Sequence, residues 1–240
     1  MKSRRTVPSA PSEALIMALP NGRILGEVMP LLKRAGIEPE PAFTDPKSRK
    51  LRFSTSDPGL DLIRVRSFDV ASFVAFGAAQ IGVAGNDVLM EFDYSEIYAP
   101  LDLDIGHCRM AVATPEEEAG EEDPRSWSHI RVATKYPEIT RRHFAARGVQ
   151  AECIKLNGAV ELAPKLGLCR HIVDLVQTGA TLAANGLVEI EHIAEITSRL
   201  IVNRPALKTR PEEVGRWIDR LRDAVNGTAR RSARAAAAPV

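Results

Sequence analysis

Apolar runs that alternate with short polar loops predict a chain of alternating strands and helices. The run ALIMAL, residues 14–19, is apolar on both faces, as in a covered parallel strand. A helix-like segment follows it and contains Pro30, so we expect a kink or a later helix start there. Strands at residues 60–65 and 79–83, each followed by a helix, continue the pattern and predict a doubly wound α/β layer.

A second layer is predicted after two strands at residues 97–103 and 107–113, with Pro100 limiting the first to an edge or a shorter strand. It would consist of strands 129–134, 151–156 and 172–176, helix 137–147 and a short helix within 158–168. We expect residues 187–200 to form a strand that returns to the first layer. The helix predicted at 211–225 has one apolar face, made of Val214, Trp217, Ile218 and Leu221.

The segment HIVDLVQTGATLAANGL, His171–Leu187, carries the strongest functional signal. An apolar strand containing Asp174 leads into a loop of small and hydroxyl residues, and a helix begins near Thr181. Backbone N–H groups, a helix dipole and threonine hydroxyls together favour an anion such as phosphate. Asp174 would accept hydrogen bonds from sugar hydroxyls. The structural alternative is a plain turn in which Thr178 or Thr181 caps a helix.

Cationic residues at other strand ends are further candidates for anion binding. Arg23 follows the turn Pro20, Asn21 and Gly22, although a surface position at a helix start explains it equally well. The basic stretch 44–56, which contains Arg52, is either a solvated edge or a loop that brings arginines to a polyphosphate.

Two helix starts were assigned from local signals alone. Ser67 or Asp69 is a plausible cap for the helix after residue 65. A turn is predicted at Gly85, Asn86 and Asp87, where Asp87 would either serve the site or form an Asx turn capping the next helix.

Composition narrows the function classes. The 240 residues have a net charge of +1, which gives no support for nucleic-acid or membrane partners. Three cysteines without metal spacing favour a reducing cytoplasm. Residues 1–13 are predicted to be a disordered leader and the basic stretch 227–240 a disordered tail.

Six segments in a fixed order carry a family resemblance. They are ALPNGR (18–23), IRVRSFDVASFVAFGAAQIGVAGNDVLME (63–91), GHCRMAVA (106–113), ATKYPEIT (133–140), NGAVELAPKLGL (157–168) and DLVQTGATLAANGL (174–187). Together they resemble ATP phosphoribosyltransferase, the pentosyltransferase that opens histidine biosynthesis. The resemblance implies an α/β fold of two lobes, of the periplasmic-binding-protein type II kind, with the active site in the cleft between them. Lobe I would hold residues 14–104 and 196–226, and lobe II residues 105–195.

The resemblance also implies a reaction and roles for residues. N1 of ATP would attack C1 of phosphoribosyl pyrophosphate, and pyrophosphate with Mg²⁺ would leave, so the protein supplies alignment and charge stabilisation rather than a nucleophile. Mg²⁺ would come with the substrate and bind no protein ligand. Candidate residues are Gln177, Thr178, Gly179, Ala180 and Thr181 for the 5-phosphate, Glu161 and Asp174 for the ribose, Arg23, Arg52 and Arg66 for pyrophosphate or triphosphate, and Pro20, Asn21, Gly22, Gly85 and Asp87 for the nucleotides.

Some features set this chain apart within the family. Asn21 stands where many relatives have lysine, and Ala180 where many have arginine. The length resembles the short form, which works in a hetero-oligomer with a regulatory subunit similar to histidyl-tRNA synthetase. Two other classes of protein are compatible with the fold: a non-catalytic two-lobed solute- or nucleotide-binding module, and a regulatory paralogue without activity. The first would need a secretion signal and no TGxT loop, and the second would lack Asp174 or Gly179.

Overall fold

The computed structural model describes residues 13–120 and 126–236, and the chain divides into two compact units. The first unit comprises the described residues up to Ala84, the segment Ser95–Leu101 and the residues from Leu200 onward. The second comprises Gly85–Tyr94 and Asp102–Arg199. Residues 1–12 of the predicted leader and 237–240 of the predicted tail lie outside the described residues.

The elements follow one another in the alternating order that the hydrophobic pattern predicts. The first part of the chain forms β1 (Leu15–Pro20), α1 (Arg23–Arg34), β2 (Arg52–Ser54), β3 (Leu60–Val65), α2 (Ser67–Ala75), β4 (Ile81–Gly85), α3 (Asn86–Phe92) and β5 (Ile97–Asp102). The middle forms β6 (Cys108–Pro115), β7 (His129–Thr134), α4 (Pro137–Ala145), β8 (Gln150–Lys155), α5 (Leu162–Lys165), β9 (His171–Val176), α6 (Ala180–Ala184) and β10 (Leu187–Ile196). The last part forms β11 (Ser198–Asn203), α7 (Arg204–Thr209) and α8 (Pro211–Ala236).

A six-stranded sheet in the order β2-β3-β1-β4-β11-β5 organises the first unit. Strand β1 runs parallel to β3 and to β4, and its register with β3 places Pro20 opposite Val65. The turn after Pro20 and Arg66 after β3 therefore lie at the same edge of this sheet. Strand β5, which contains Pro100, is an edge strand, as predicted.

A five-stranded sheet in the order β10-β6-β9-β7-β8 organises the second unit. Strand β7 is parallel to β8 and β9, with Thr134 opposite Val173, whereas β6 is antiparallel to β9. The carboxyl ends of β7 and β9 consequently lie side by side. Apolar residues from β6, β7, β9, α5 and α6 form one buried cluster beneath them, including Ala111, Ala133, Val160, Ile172, Val176 and Leu182.

Helix starts and ends differ from the predictions in three places. Helix α1 begins at Arg23 and continues through Pro30, so a later start was wrong. The exposed side of the helix tolerates a proline that leaves one carbonyl without its intrahelical partner. Helix α2 begins after Arg66, and neither Ser67 nor Asp69 caps it.

The last helix is longer than predicted. Helix α8 extends to Ala236, and alanine and arginine at its end are strong helix formers, which explains why helix replaces the predicted disorder up to that residue. Its predicted apolar face is confirmed, because Val214, Trp217, Ile218 and Leu221 are all buried.

Residues 187–203 correct the prediction of one returning strand. Strand β10 pairs with β6 in the second sheet, and only β11, after the break at Thr197, belongs to the first sheet. A mixed pattern of isoleucine and glutamate cannot distinguish one long strand from two, because both satisfy the period of two residues.

The division into units also differs from the predicted lobes. Residues 85–94, expected in lobe I, belong to the second unit, as do residues 102–104 and 196–199. Helix α3 is drawn there by the hydrogen bonds of its two acidic residues, described below. Within the described residues, no helix is long and apolar enough to cross a lipid bilayer.

Candidate functional site

The loop after β9 exposes most of its hydrogen-bonding groups. Gln177, Thr178, Ala180 and Thr181 are exposed, and Gly179 adopts a left-handed conformation with φ of 80°. Among the described residues, the backbone N–H groups of Gly179 and Thr181 have no hydrogen-bond partner. These N–H groups lie at the amino-terminal end of a helix and are available to donate hydrogen bonds to an anion.

The threonine hydroxyls of this loop are not helix caps. Helix α6 begins at Ala180 after Gly179, and no side chain caps it. Thr178 Oγ1 accepts the N–H of Ala180 at 3.3 Å, which closes a turn within the loop, and Thr181 is the second residue of the helix. The structural alternative of threonine capping is therefore not what the loop does.

Asp174 lies three residues before the loop and is partly buried. Its Oδ1 accepts the N–H of Leu175 at 2.8 Å. Burial, together with the charges of Glu161 and Asp87, raises the pKa of Asp174 to about 6, while the N–H of Leu175 and the charge of Lys135 oppose the rise. Glu161, at the start of α5, is half-buried. The structure thus brings together three of the predicted acidic residues, Asp87, Glu161 and Asp174, within the second unit.

Asp87 is the second residue of α3 and is buried. Its Oδ2 accepts a hydrogen bond from the hydroxyl of Tyr136 at 2.8 Å. Burial raises the pKa of Asp87 and the pKa of Tyr136. The alternative of an Asx cap fails, because Gly85 occupies the cap position of α3 and no side chain bonds there.

Gly85 is required by the position of the Asp87 carboxylate. A β-carbon at residue 85 would lie 2.0 Å from Oδ1 of Asp87, although the backbone φ of −65° suits any residue. Gly85 therefore contributes through the space that it leaves for the carboxylate.

Glu91, one helical turn after Asp87, is a second buried acid on α3. Its two carboxylate oxygens accept the backbone N–H of Glu138 at 3.1 Å each, and Oε2 accepts that of Ile139 at 3.1 Å. Both N–H groups belong to the first turn of α4. A carboxylate from another helix thus takes the place of a local cap.

The predicted arginines all belong to the first unit and differ in their partners. Arg23 pairs with Glu27 at 2.8 Å on exposed α1, and Arg52 pairs with Asp61 at 2.7 Å on an edge strand. Among the described residues, the exposed guanidinium of Arg66 has no ion pair. Asn21 donates its backbone N–H to Val65 at 2.9 Å, so Arg66 and the turn Asn21–Gly22 adjoin each other.

Three residues of the second unit escaped the sequence analysis. Arg109 Nη1 donates to the carbonyl of Gln177 at 3.5 Å, and Nη2 pairs with Glu189 at 2.7 Å. The signal for Arg109 was a single cation inside an apolar strand, and the signal for Glu91 was a second acid at i+4 from Asp87. Lys135 carried no local signal, because its relation to Asp174 depends on the pairing of β7 with β9.

An acid on a sheet strand beside an open glycine-threonine loop at a helix start defines a class of enzyme that binds a phosphorylated sugar. Within the described residues, no group of three or more acidic, histidine or cysteine side chains could hold a metal ion.

Similarity to known proteins identifies the member of this class. A profile of the ATP phosphoribosyltransferase family matches residues 66–223. The ATP phosphoribosyltransferase of Paramagnetospirillum magneticum is 70% identical over 218 residues, which cover 91% of this chain and 100% of that protein. The enzyme of Rhodospirillum rubrum is 69% identical over 218 residues, which cover 91% of this chain and 96% of that protein.

A solved structure agrees in fold. The chain superposes on the ATP phosphoribosyl transferase (HisG:HisZ) complex from Thermotoga maritima with a TM-score of 0.75 and 32% identity, covering 89% of this chain and 98% of that one. The chain belongs to the ATP phosphoribosyltransferase family, with its two-lobed α/β fold, and its activity is the first step of histidine biosynthesis. A non-catalytic solute- or nucleotide-binding module is not favoured.

Proposed function

We propose that the loop Gln177–Thr181 binds the 5-phosphate of phosphoribosyl pyrophosphate while Asp174 and Glu161 bind its ribose hydroxyls. The observation that carries this assignment is the pair of N–H groups at Gly179 and Thr181, which have no hydrogen-bond partner among the described residues, beside the partly buried Asp174. Backbone donors at a helix start suit a phosphate dianion, and carboxylate oxygens suit a sugar diol.

The reaction then proceeds by substitution at C1 of the ribose. N1 of the adenine forms a bond to C1, and the bond from C1 to the pyrophosphate oxygen breaks, with positive charge developing on the ring. Asp174, ionised above pH 6, would hold the sugar hydroxyls and stabilise that positive charge. The adenine supplies the electron pair, so no side-chain nucleophile is needed.

Cations are needed for the departing pyrophosphate. We assign this role first to Arg66, whose guanidinium has no ion pair among the described residues, and then to Arg23 and Arg52, which would exchange Glu27 and Asp61 for phosphate oxygens. The turn Pro20–Gly22 beside Arg66 would frame the nucleotide, together with Gly85 and Asp87. Mg²⁺ would arrive bound to phosphoribosyl pyrophosphate and leave bound to the product pyrophosphate.

Arg109 is a candidate for the positive charge that many relatives supply with an arginine at position 180. Its guanidinium contacts the carbonyl that opens the phosphate loop. We infer that Arg109 contributes positive charge to the loop from the neighbouring strand, at a distance that leaves the backbone donors as the direct ligands. By the same reasoning, we infer that Arg66, which adjoins the turn at Asn21, supplies the positive charge that lysine supplies there in many relatives.

A regulatory subunit is the proposed partner. The Thermotoga maritima chain that this chain resembles is from a HisG:HisZ complex, and the alignment spans 98% of that chain. We propose that this chain is likewise a short-form catalytic subunit that assembles with a histidyl-tRNA-synthetase-like protein. We propose that the reaction takes place in the cytoplasm, where ATP is available.

The direct test is the ultraviolet absorbance change on mixing the purified chain with ATP, Mg²⁺ and phosphoribosyl pyrophosphate, with and without the regulatory subunit. We expect phosphoribosyl-ATP to form, and Asp174→Asn to slow its formation by about a thousandfold under the same conditions. Absence of product from the wild-type chain in both mixtures would overturn the proposed function.

A further inference from the structure

Two acidic residues on one face of helix α3 accept hydrogen bonds from the junction between β7 and α4. Asp87 accepts the Tyr136 hydroxyl at 2.8 Å, and Glu91 accepts two N–H groups of the first turn of α4 at 3.1 Å. Residues four apart lie on the same side of a helix, so both acids approach this junction together. Both are buried, with 7% and 6% of their surface exposed, although the reaction outlined above uses only Asp87.

The junction itself is fixed against the strand that carries Asp174. Thr134 Oγ1 donates to the carbonyl of Val173 at 2.8 Å and accepts the N–H of Tyr136 at 2.9 Å. Thr140 Oγ1 donates to the carbonyl of Tyr136 at 2.7 Å. Lys135 lies between these anchored residues, so its position depends on how firmly the first turn of α4 is held.

Lys135 is a cationic residue whose charge acts on the acidic residues Asp87 and Asp174. Among the described residues, the charges that act on Asp174 come from Glu161 before α5, Asp87 on α3 and Lys135 at the junction, and Tyr136 is in turn influenced by Asp174 and by Cys108 of β6. Burial raises the pKa of both Asp87 and Asp174, and Lys135 acts against that rise in both. Displacing its ammonium group would therefore make both carboxylates harder to ionise.

We propose that Glu91 is a positioning residue of the phosphoribosyl transfer, because its buried carboxylate holds the first turn of α4 and so keeps Lys135 beside Asp174 and Asp87. The inference rests on the proposed function of Asp174 as the ribose-binding carboxylate. Glu91 contacts no reacting atom in this account and acts through the junction alone.

The test is a double-mutant cycle with Glu91→Gln, Lys135→Gln and the double variant, measured as the pH dependence of kcat/KM for phosphoribosyl pyrophosphate. Glutamine keeps one acceptor oxygen but removes the charge at the helix start. We expect Glu91→Gln to lower kcat/KM about tenfold and to move its acid limb upward by about half a pH unit. Lys135→Gln should move the limb in the same direction.

Non-additivity separates positioning from a general loss of stability. If Glu91 acts through Lys135, the double variant will show no larger displacement of the acid limb than Lys135→Gln alone. Glu152→Gln is the matched control, because it breaks an exposed ion pair with Arg131 in the same unit and should leave the pH profile in place.

The opposing outcomes are distinct. An acid limb that stays in place in Glu91→Gln while the unfolding midpoint falls, or displacements that add in the double variant, would overturn the inference and reduce Glu91 to a structural cap. Should Glu91→Gln not fold, Glu91→Asp, which keeps the charge and withdraws it by one methylene, takes its place in the same cycle. A wild-type chain that forms no phosphoribosyl-ATP would instead refute the proposed function.

Discussion

Two neighbouring strand-to-helix junctions of the second sheet have opposite constructions. The junction after β9 is exposed, left-handed at Gly179 and rich in unbonded donors, whereas the junction after β7 is buried and every anchoring group in it is hydrogen-bonded. Both begin at the carboxyl edge of one sheet, with Thr134 opposite Val173. The difference supports the proposal that the junction after β9 receives a ligand and that the junction after β7 holds side chains in place around it.

The largest expected effect is the removal of the charge of Asp174. Asp174→Asn should lower kcat/KM by about a thousandfold, because the amide offers one acceptor oxygen in place of two and carries no charge to stabilise a positive ribose ring. Steady-state kinetics with phosphoribosyl pyrophosphate would measure this loss. A variant with near-normal kinetics would show that the carboxylate has another role.

The same substitution should stabilise the ligand-free chain. Folding raises the pKa of Asp174 from 3.8 to about 6, so the carboxyl favours the folded state below pH 3.8 and loses that contribution as the pH rises through 6. Asp174→Asn should therefore add on the order of 1–3 kcal/mol to the free energy of unfolding at pH 7, and nothing near pH 3.5. Urea unfolding at the two pH values would measure the difference, and equal gains at both would contradict the assignment.

Gly179→Ala tests the open junction by straining its backbone. A β-carbon at position 179 meets no atom within 4 Å, so the cost arises from the left-handed φ of 80°, roughly 1 kcal/mol. A loop displaced in this way should lose about one to two orders of magnitude in kcat/KM for phosphoribosyl pyrophosphate. Initial-rate measurements would determine the loss.

Gly148→Ala is the control for Gly179→Ala. It carries a similar φ of 76°, with nothing within 4 Å, at the end of α4. We expect the same loss of stability there and unchanged kinetics. Equal kinetic losses in both variants would refute a specific role for the loop.

Gly85→Ala tests the buried junction by sterics alone. The added β-carbon would displace the carboxylate of Asp87 from Tyr136, which should cost about 1–3 kcal/mol of stability and several-fold in kcat. Thermal unfolding and kinetics would measure both quantities. Combined with Asp87→Ala, the substitution should cost little more than Asp87→Ala alone.

Gly26→Ala provides the comparison for Gly85→Ala. Position 26 lies inside α1 with nothing within 4 Å, so alanine should stabilise the chain by about 0.5–1 kcal/mol through helix propensity. If Gly85→Ala is equally harmless, the carboxylate of Asp87 has room to move and the steric account is wrong.

Local pattern predicted the elements of these junctions well and their connections poorly. The segments at residues 60–65 and 129–134 match β3 and β7 to the residue, because their apolar residues recur at alternate positions, as in a strand with one face buried. The loop at Gly179 was recognisable from its residue types. The hydrogen bonds from α4 to Glu91 join residues that are separated by 47 and 48 positions in the sequence, and local periodicity does not predict such a contact.

The same limit explains the remaining errors. The assignment of residues 85–94 to the first lobe followed chain order, whereas hydrogen bonds from Asp87 and Glu91 to the β7–α4 junction place α3 in the second unit. The pairing of β10 with β6 was likewise invisible in the sequence, since the strand pattern continues unbroken into β11. The positions proposed for substrate binding remain predictions from residue chemistry and family resemblance.

The most direct test of the account is a crystal structure of the chain with Mg²⁺ and phosphoribosyl pyrophosphate. We predict the 5-phosphate within hydrogen-bond distance of the N–H groups of Gly179 and Thr181, with the ribose hydroxyls on Asp174. A fully occupied substrate whose 5-phosphate lies elsewhere, with the loop after β9 empty, would contradict the account.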